Sequence, residues 1–101
     1  FVARTFELRS GSRIRKVTLR LSVPEPDPTG CGWRCRLRLR GLSTTFDRHT
    51  HGEDGLQALL LALEMARVLL ATTPLPAGAR LTWSDDANLG VPALLTRTRD
   101  R

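Results

Sequence analysis

Two cysteines and two histidines are the residues whose chemistry is most specific. Cys31, Cys35, His49 and His51 together hold two sulfurs and two imidazoles, the donor set of a structural zinc site. Their spacing argues against it: C-x3-C stands where C-x2-C is usual, and H-x-H where three to five residues normally separate the histidines. Cys35 also shares the phase of Trp33 and Leu37, which makes it a small core hydrophobe. We therefore expect no metal, no cofactor and reduced thiols. A nucleophile, a histidine and a carboxylate can be assembled on paper from Cys31 or Cys35 with Asp47, Asp54, Asp85 or Asp86. No nucleophile elbow, H-E-x-x-H or phosphate-binding glycine loop accompanies them. Asp85 and Asp86 are adjacent, so in an extended chain their side chains diverge. The expectation is a protein that is not an enzyme.

The strongest pattern is Trp33 to Arg40, WRCRLRLR. Trp33, Cys35, Leu37 and Leu39 fall on one side of a strand, and Arg34, Arg36, Arg38 and Arg40 on the other. Four guanidinium groups cannot be buried unpaired, so they define the solvent face. Successive Arg residues on that face stand about 6.7 Å apart and repel by only ~0.6 kcal/mol in water. Arg20, on an adjacent strand, shares their plane with Glu7. Guanidinium groups bind oxyanions in a two-pronged fashion, so Arg34, Arg36, Arg38, Arg40 and Arg20 are the candidate binding residues for phosphates or an acidic protein surface. A sheet that reads nucleic acid usually interleaves aromatic stacking groups, and here the tryptophans and phenylalanines take core phases or the first position.

The elements that must position this ladder follow from periodicity. Gly52 to Ala71 reads as one helix, with Leu56, Leu59, Leu63, Ala66 and Leu70 as its apolar stripe, and Ala58, Ala62, Met65 and Leu69 widening it. Thr50 and Glu53 have the spacing of a capping box, which places the start near His51 or Gly52. Pro74 and Pro76 end it. Leu60, Leu61 and Val68 lie near the polar side, more grease than one sheet requires, and suggest a dimer or partner surface. A membrane span would place Glu64 and Arg67 near mid-bilayer. Val2–Leu8 and Ile14–Val23 alternate as an antiparallel hairpin around Ser10 to Ser12, with Val23 inward. PEPDPTG, residues 24–30, is a stiff loop able to join a sheet only at an edge. A short strand over Ser43–Arg48, with Phe46 inward, leads through His49 and His51 as loop into the helix. Arg80–Ser84 is a last short strand. Residues 85–101 read as loop and partly frayed tail. The order implies a single α+β domain over 1–101: a two-layer sandwich, its antiparallel sheet of four to five strands carrying one long helix on one face.

At 101 residues and 41% hydrophobic, the chain can bury one core. Its net charge is +6, but fifteen of the sixteen basic residues are Arg, a bias that codon composition alone can generate, so basicity by itself is weak evidence for a nucleic-acid partner. The first residues lack a secretory apolar run, so a cytoplasmic protein is expected; Phe1 is not a Met.

The segments W-R-C-R-L-R-L-R-G (33–41), G-E-D-G-L-Q-A-L (52–59) and L-G-V-P (89–92) resemble a pattern of small uncharacterised bacterial proteins with a W-x-C strand, a G-x-D-x-x-Q-A-L helix and a closing Gly-x-Pro. The helix is also similar to that of immunity proteins from bacterial polymorphic toxin systems. The resemblance implies a helix-on-sheet domain without enzymatic residues that neutralises a cognate toxin by direct binding. Immunity proteins that block nucleases tend to be acidic, whereas this chain is basic, so the partner it implies has an acidic face. The alternative is an accessory nucleic-acid or polyanion binder using the Arg ladder.

Overall fold

The computed structural model describes residues 1–84 and 86–91, and shows the two-layer α+β sandwich. Strands β1 (Val2–Ser10) and β2 (Arg13–Leu21) form the expected hairpin, paired from Val2↔Leu21 to Ser10↔Arg13. The turn leaves Gly11 at φ +61, a left-handed position that glycine adopts without strain. Strand β4 (Trp33–Arg40) is central. From Trp33 to Leu39 it pairs with β5 (Phe46–Gly52) on one edge. The other edge is shared end to end by β2 and by the two-residue β3 (Glu25–Pro26). Prolines 24 and 26 thus sit at a strand that only flanks the sheet, as a residue without an N–H must. Strand β6 (Arg80–Thr82) adds to the outer edge of β1.

Alternation places Phe6, Leu8, Val17, Leu19, Leu21, Cys35, Leu37, Leu39 and Leu81 on one buried face. Helix α1 (Gly55–Thr72) lies over the β4 and β5 half. A helix about 10 Å wide covers roughly two strands at ~4.8 Å spacing, so one helix cannot roof five. The β1–β2–β6 half is closed instead by Leu42 and by Leu75, Ala79, Trp83, Leu89 and Val91. Arg4 anchors that roof from the same side of the sheet. Its guanidinium lies 3.7 Å over the Trp83 ring and donates to the Leu89 and Gly90 carbonyls at 3.2 and 3.0 Å. Gly90, at φ +72, admits this closure, because a Cβ there would meet the Trp83 ring at 2.5 Å.

Several expectations are corrected by these placements. The helix starts at Gly55, because Asp54 and not Thr50 caps it, accepting from Gln57 N at 2.8 Å. Gln57 Oε1 in turn accepts from Glu53 N at 2.6 Å, so the capping pair is Asp54 with Gln57. Thr50 belongs to β5, where it is buried and donates to Ala58 O at 2.7 Å, tying strand to helix. The helix is also rotated from the expected stripe: Ala58, Ala62, Ala66 and Leu70 are buried, while Leu56 is 65% exposed. Small residues win the central position because they let the helix axis approach the sheet; a Cβ at Gly52 would meet Ala58 N at 2.5 Å. The fourth strand is shifted from Ser43–Arg48 to Phe46–Gly52, so His49 and His51 stand in a strand and not a loop. Val23 is exposed, because the chain leaves the ladder at Ser22. Asp85 and residues 92–101 lie outside the described residues, and with them most of the expected tail.

By length and composition α1 could cross a membrane. In this fold its alanine face is committed to the sheet, and Arg67 pairs with Glu64 on its flank at 2.6 Å. The rotated stripe separates two substitutions. Ala62→Leu should cost about 1–3 kcal/mol by overpacking, whereas Leu56→Gln should stay within about 0.5 kcal/mol; urea denaturation of both variants checks the pair.

Candidate functional site

The face of the sheet turned away from α1 carries every residue of the Arg ladder. Cys35, Leu37 and Leu39 are fully buried beneath the helix, so Arg34, Arg36, Arg38 and Arg40 project from the opposite side. Pairing between strands builds rows across this face. Arg20 stands opposite Arg38, which stands opposite Asp47. Arg36 is opposite His49, Arg34 is opposite His51 and Glu25, and Arg40 is opposite Thr18.

The ladder is unevenly neutralised. Arg34 donates to Glu25 at 2.7 Å. Arg36 grips Asp47 with two hydrogen bonds, 2.8 and 2.7 Å, and Arg38 approaches the same carboxylate at 3.8 Å. Arg36 holds the Asp47 carboxyl below its ordinary value, with Arg38 and His49 adding to the effect, and Asp47 raises the Arg36 guanidinium in return. Among the described residues no carboxylate pairs with Arg20 or Arg40. Arg20 is instead stacked 3.8 Å over the Phe1 ring. Adjacent like charges on one face repel, and Arg20 and Arg38 face each other directly. Beside them lies a hollow of about 150 Å³ lined by Phe1, Arg20, Ser22, Arg36 and Arg38. The strand irregularity at Ser22 shapes it: the Ser22 hydroxyl, and not a ladder carbonyl, accepts from Arg36 N at 2.8 Å. The arrangement offers guanidinium donors around a space large enough to admit a carboxylate or phosphate group, which is recognition chemistry.

The cysteines and histidines do not converge. Cys35 is buried and its thiol donates to Ser22 O at 3.3 Å; burial pushes it above its ordinary value. Cys31 is free and exposed. Among the described residues, no cluster of three or more His, Cys, Asp or Glu is placed to hold a metal. His49 and His51 are neighbours on the open face, their rings 6.5 Å apart. His51 Nε2 lies 3.2 Å from Asp27, a contact that is ionic when the imidazole is protonated. Asp27 is held below its ordinary value by the Thr29 N–H and hydroxyl, at 2.9 and 2.8 Å, then by His51 and Arg34. Two participants escaped the sequence reading: Asp47 as counterion of the ladder, and the histidines as members of the face. Their signal was the alternation of Asp47, His49 and His51 against Phe46 and Thr50.

Because the Asp47 carboxyl titrates below its ordinary 3.8, unfolded chains take up this proton before folded ones do as the pH falls. Its contribution is therefore complete at neutral pH and disappears below about pH 4. Asp47→Asn should lower stability at neutral pH and flatten the acid decline, as read by urea midpoints between about pH 2 and 7.

No curated protein and no solved structure matches the chain. One family model matches residues 2–93, spanning the six strands and the helix of the described residues. The chain therefore belongs to the DUF6968 family, a domain of unknown function.

Proposed function

We propose that this chain is a non-enzymatic protein-binding domain of the immunity or inhibitor type, which neutralises a cognate bacterial toxin by docking its open sheet face on an acidic surface. The observation that carries the reading is the hollow lined by Arg20, Arg36 and Arg38, where the like charges of Arg20 and Arg38 are paired across neighbouring strands and, among the described residues, no carboxylate pairs with Arg20. A carboxylate from a partner would relieve that repulsion and be gripped from two sides. Supporting it, the face is prearranged: Glu25 and Asp47 hold Arg34 and Arg36 in place, so little side-chain freedom is lost on binding. The open sheet also offers few stacking groups. Trp33 and Trp83 pack against the core, as does Phe46, and Phe1 is the aromatic ring against Arg20. That composition favours an acidic protein over single-stranded nucleic acid.

The test is protection in cells. Co-expression with the product of a neighbouring gene should rescue growth, and Arg20→Glu combined with Arg38→Glu should abolish rescue while leaving the melting temperature nearly unchanged. Loss of a central charge pair typically weakens binding by about 30-fold or more. A neighbouring product that is harmless, or rescue that persists in the double variant, would refute the proposal. Tight, salt-sensitive binding of a 20-nucleotide single strand by the wild type would point to the polyanion reading instead.

A further inference from the structure

Apart from the two-residue β3, two strands of the described sheet lie at its edges, and they are guarded differently. On one side β6 is only three residues long. On the other, β5 runs seven residues without a proline or glycine before Gly52, and among the described residues it pairs only with β4. The side of β5 that faces outward follows from the ladder. Ser22 N donates to Arg36 O at 2.9 Å, so even-numbered residues of β4 turn their backbone groups toward β2. The odd-numbered ones, Cys35, Leu37 and Leu39, then bond Thr50, Arg48 and Phe46. Asp47, His49 and His51 are left with their N–H and C=O groups directed away from the sheet. Beside this edge an open groove of about 450 Å³ runs between β5 and α1, floored by Leu61, Met65, Val68 and Leu69, with Glu64 on its wall. Val68 is 39% exposed. An extended strand edge next to an apolar channel is the geometry of strand addition.

We infer that a second copy of this chain occupies the edge, pairing β5 with β5 antiparallel about a two-fold axis through His49. The occupant is identified by self-complementarity. Helices can stay on one side of the joined sheet only if residues of the same phase pair, and centring on His49 is the register that pairs all seven residues, Phe46 to Gly52, with their counterparts. In that register each Asp47 faces the other copy's His51, an acid opposite a base, and each Arg48 faces Thr50. A shift of one residue in the axis would set Arg48 against Arg48, like charge on like charge. The register also carries the second copy's Arg48 toward the groove that Glu64 and Val68 line. His49 meets its own copy over the same pair of strands, with Arg36 beside it on β4.

The experiment is sedimentation of the intact chain between about 1 and about 200 μM, with amide hydrogen exchange at both ends of that range. Dimerisation should raise the mass from 11.2 kDa to twice that, and should protect the amides of His49 and His51 only at high concentration. His49→Pro removes an outward N–H that no strand among the described residues uses, so it should keep the fold and return the monomer. Val68→Asp should do the same from the helix side. Salt should tighten the dimer, since each copy carries +6, the opposite of its effect on docking an acidic partner. A wild-type chain that stays monomeric throughout, or amides at His49 and His51 that exchange equally fast at both concentrations, would overturn the inference. So would a dimer that survives Val68→Asp.

Discussion

The structure depends on how closely one helix can approach two strands. Ala58, Ala62 and Ala66 form the contact line, and none projects beyond a methyl group, so the axis of α1 settles low over Cys35, Leu37, Leu39 and Thr50. Gly52 is required at the point of nearest approach, and the Thr50 hydroxyl fixes the register by donating to the Ala58 carbonyl in the buried layer between strand and helix. A larger residue on that line would lift the helix and open voids along its length. Because the contact is centred on β4 and β5, the rest of the buried face needs a second cover, and the segment after the helix supplies it.

The same placement sets the character of the opposite face. With β4 central, its arginines are flanked on both sides, and each neighbour modifies one of them. Glu25 reaches Arg34, Asp47 reaches Arg36 and then Arg38, and Arg20 adds a further cation where Arg38 already stands. The result is a graded surface: compensated toward β3 and β5, uncompensated toward β2. An array of this kind selects the position of an anion and not merely its presence, which net charge alone would not achieve.

Much of this was legible from residue types, and the failures share a cause. Eight residues of strict alternation in WRCRLRLR fixed both the core and the solvent side of β4, since burying four guanidinium groups admits no other solution. The hairpin was equally plain, because both strands alternate and Gly11 marks the turn. The helix phase was harder: a segment apolar nearly all round gives no unique stripe, and steric fit chose the alanines over the leucines. The start of the helix was misplaced because Thr50–Glu53 and Asp54–Gln57 both have capping spacing, and a buried strand hydroxyl outcompeted the first by finding a carbonyl in the helix. Asp47 could not be assigned to the ladder while the strand that carries it was set several residues early. Pairing between strands is a tertiary fact, and the site is made of such pairs.

The anchoring of Arg4 to Leu89 and Gly90 joins residues more than eighty positions apart in sequence. Fixing such distant points in an open chain incurs nearly the full closure entropy of the polymer, while the interaction itself is a cation on a ring and two carbonyls. It therefore cannot nucleate the domain and must assemble after hairpin, central strand and helix have already drawn the ends together. Once closed it is a clasp: it ties the first strand directly to the segment beyond the helix, over the hollow that Leu19 and Leu21 line with Val91.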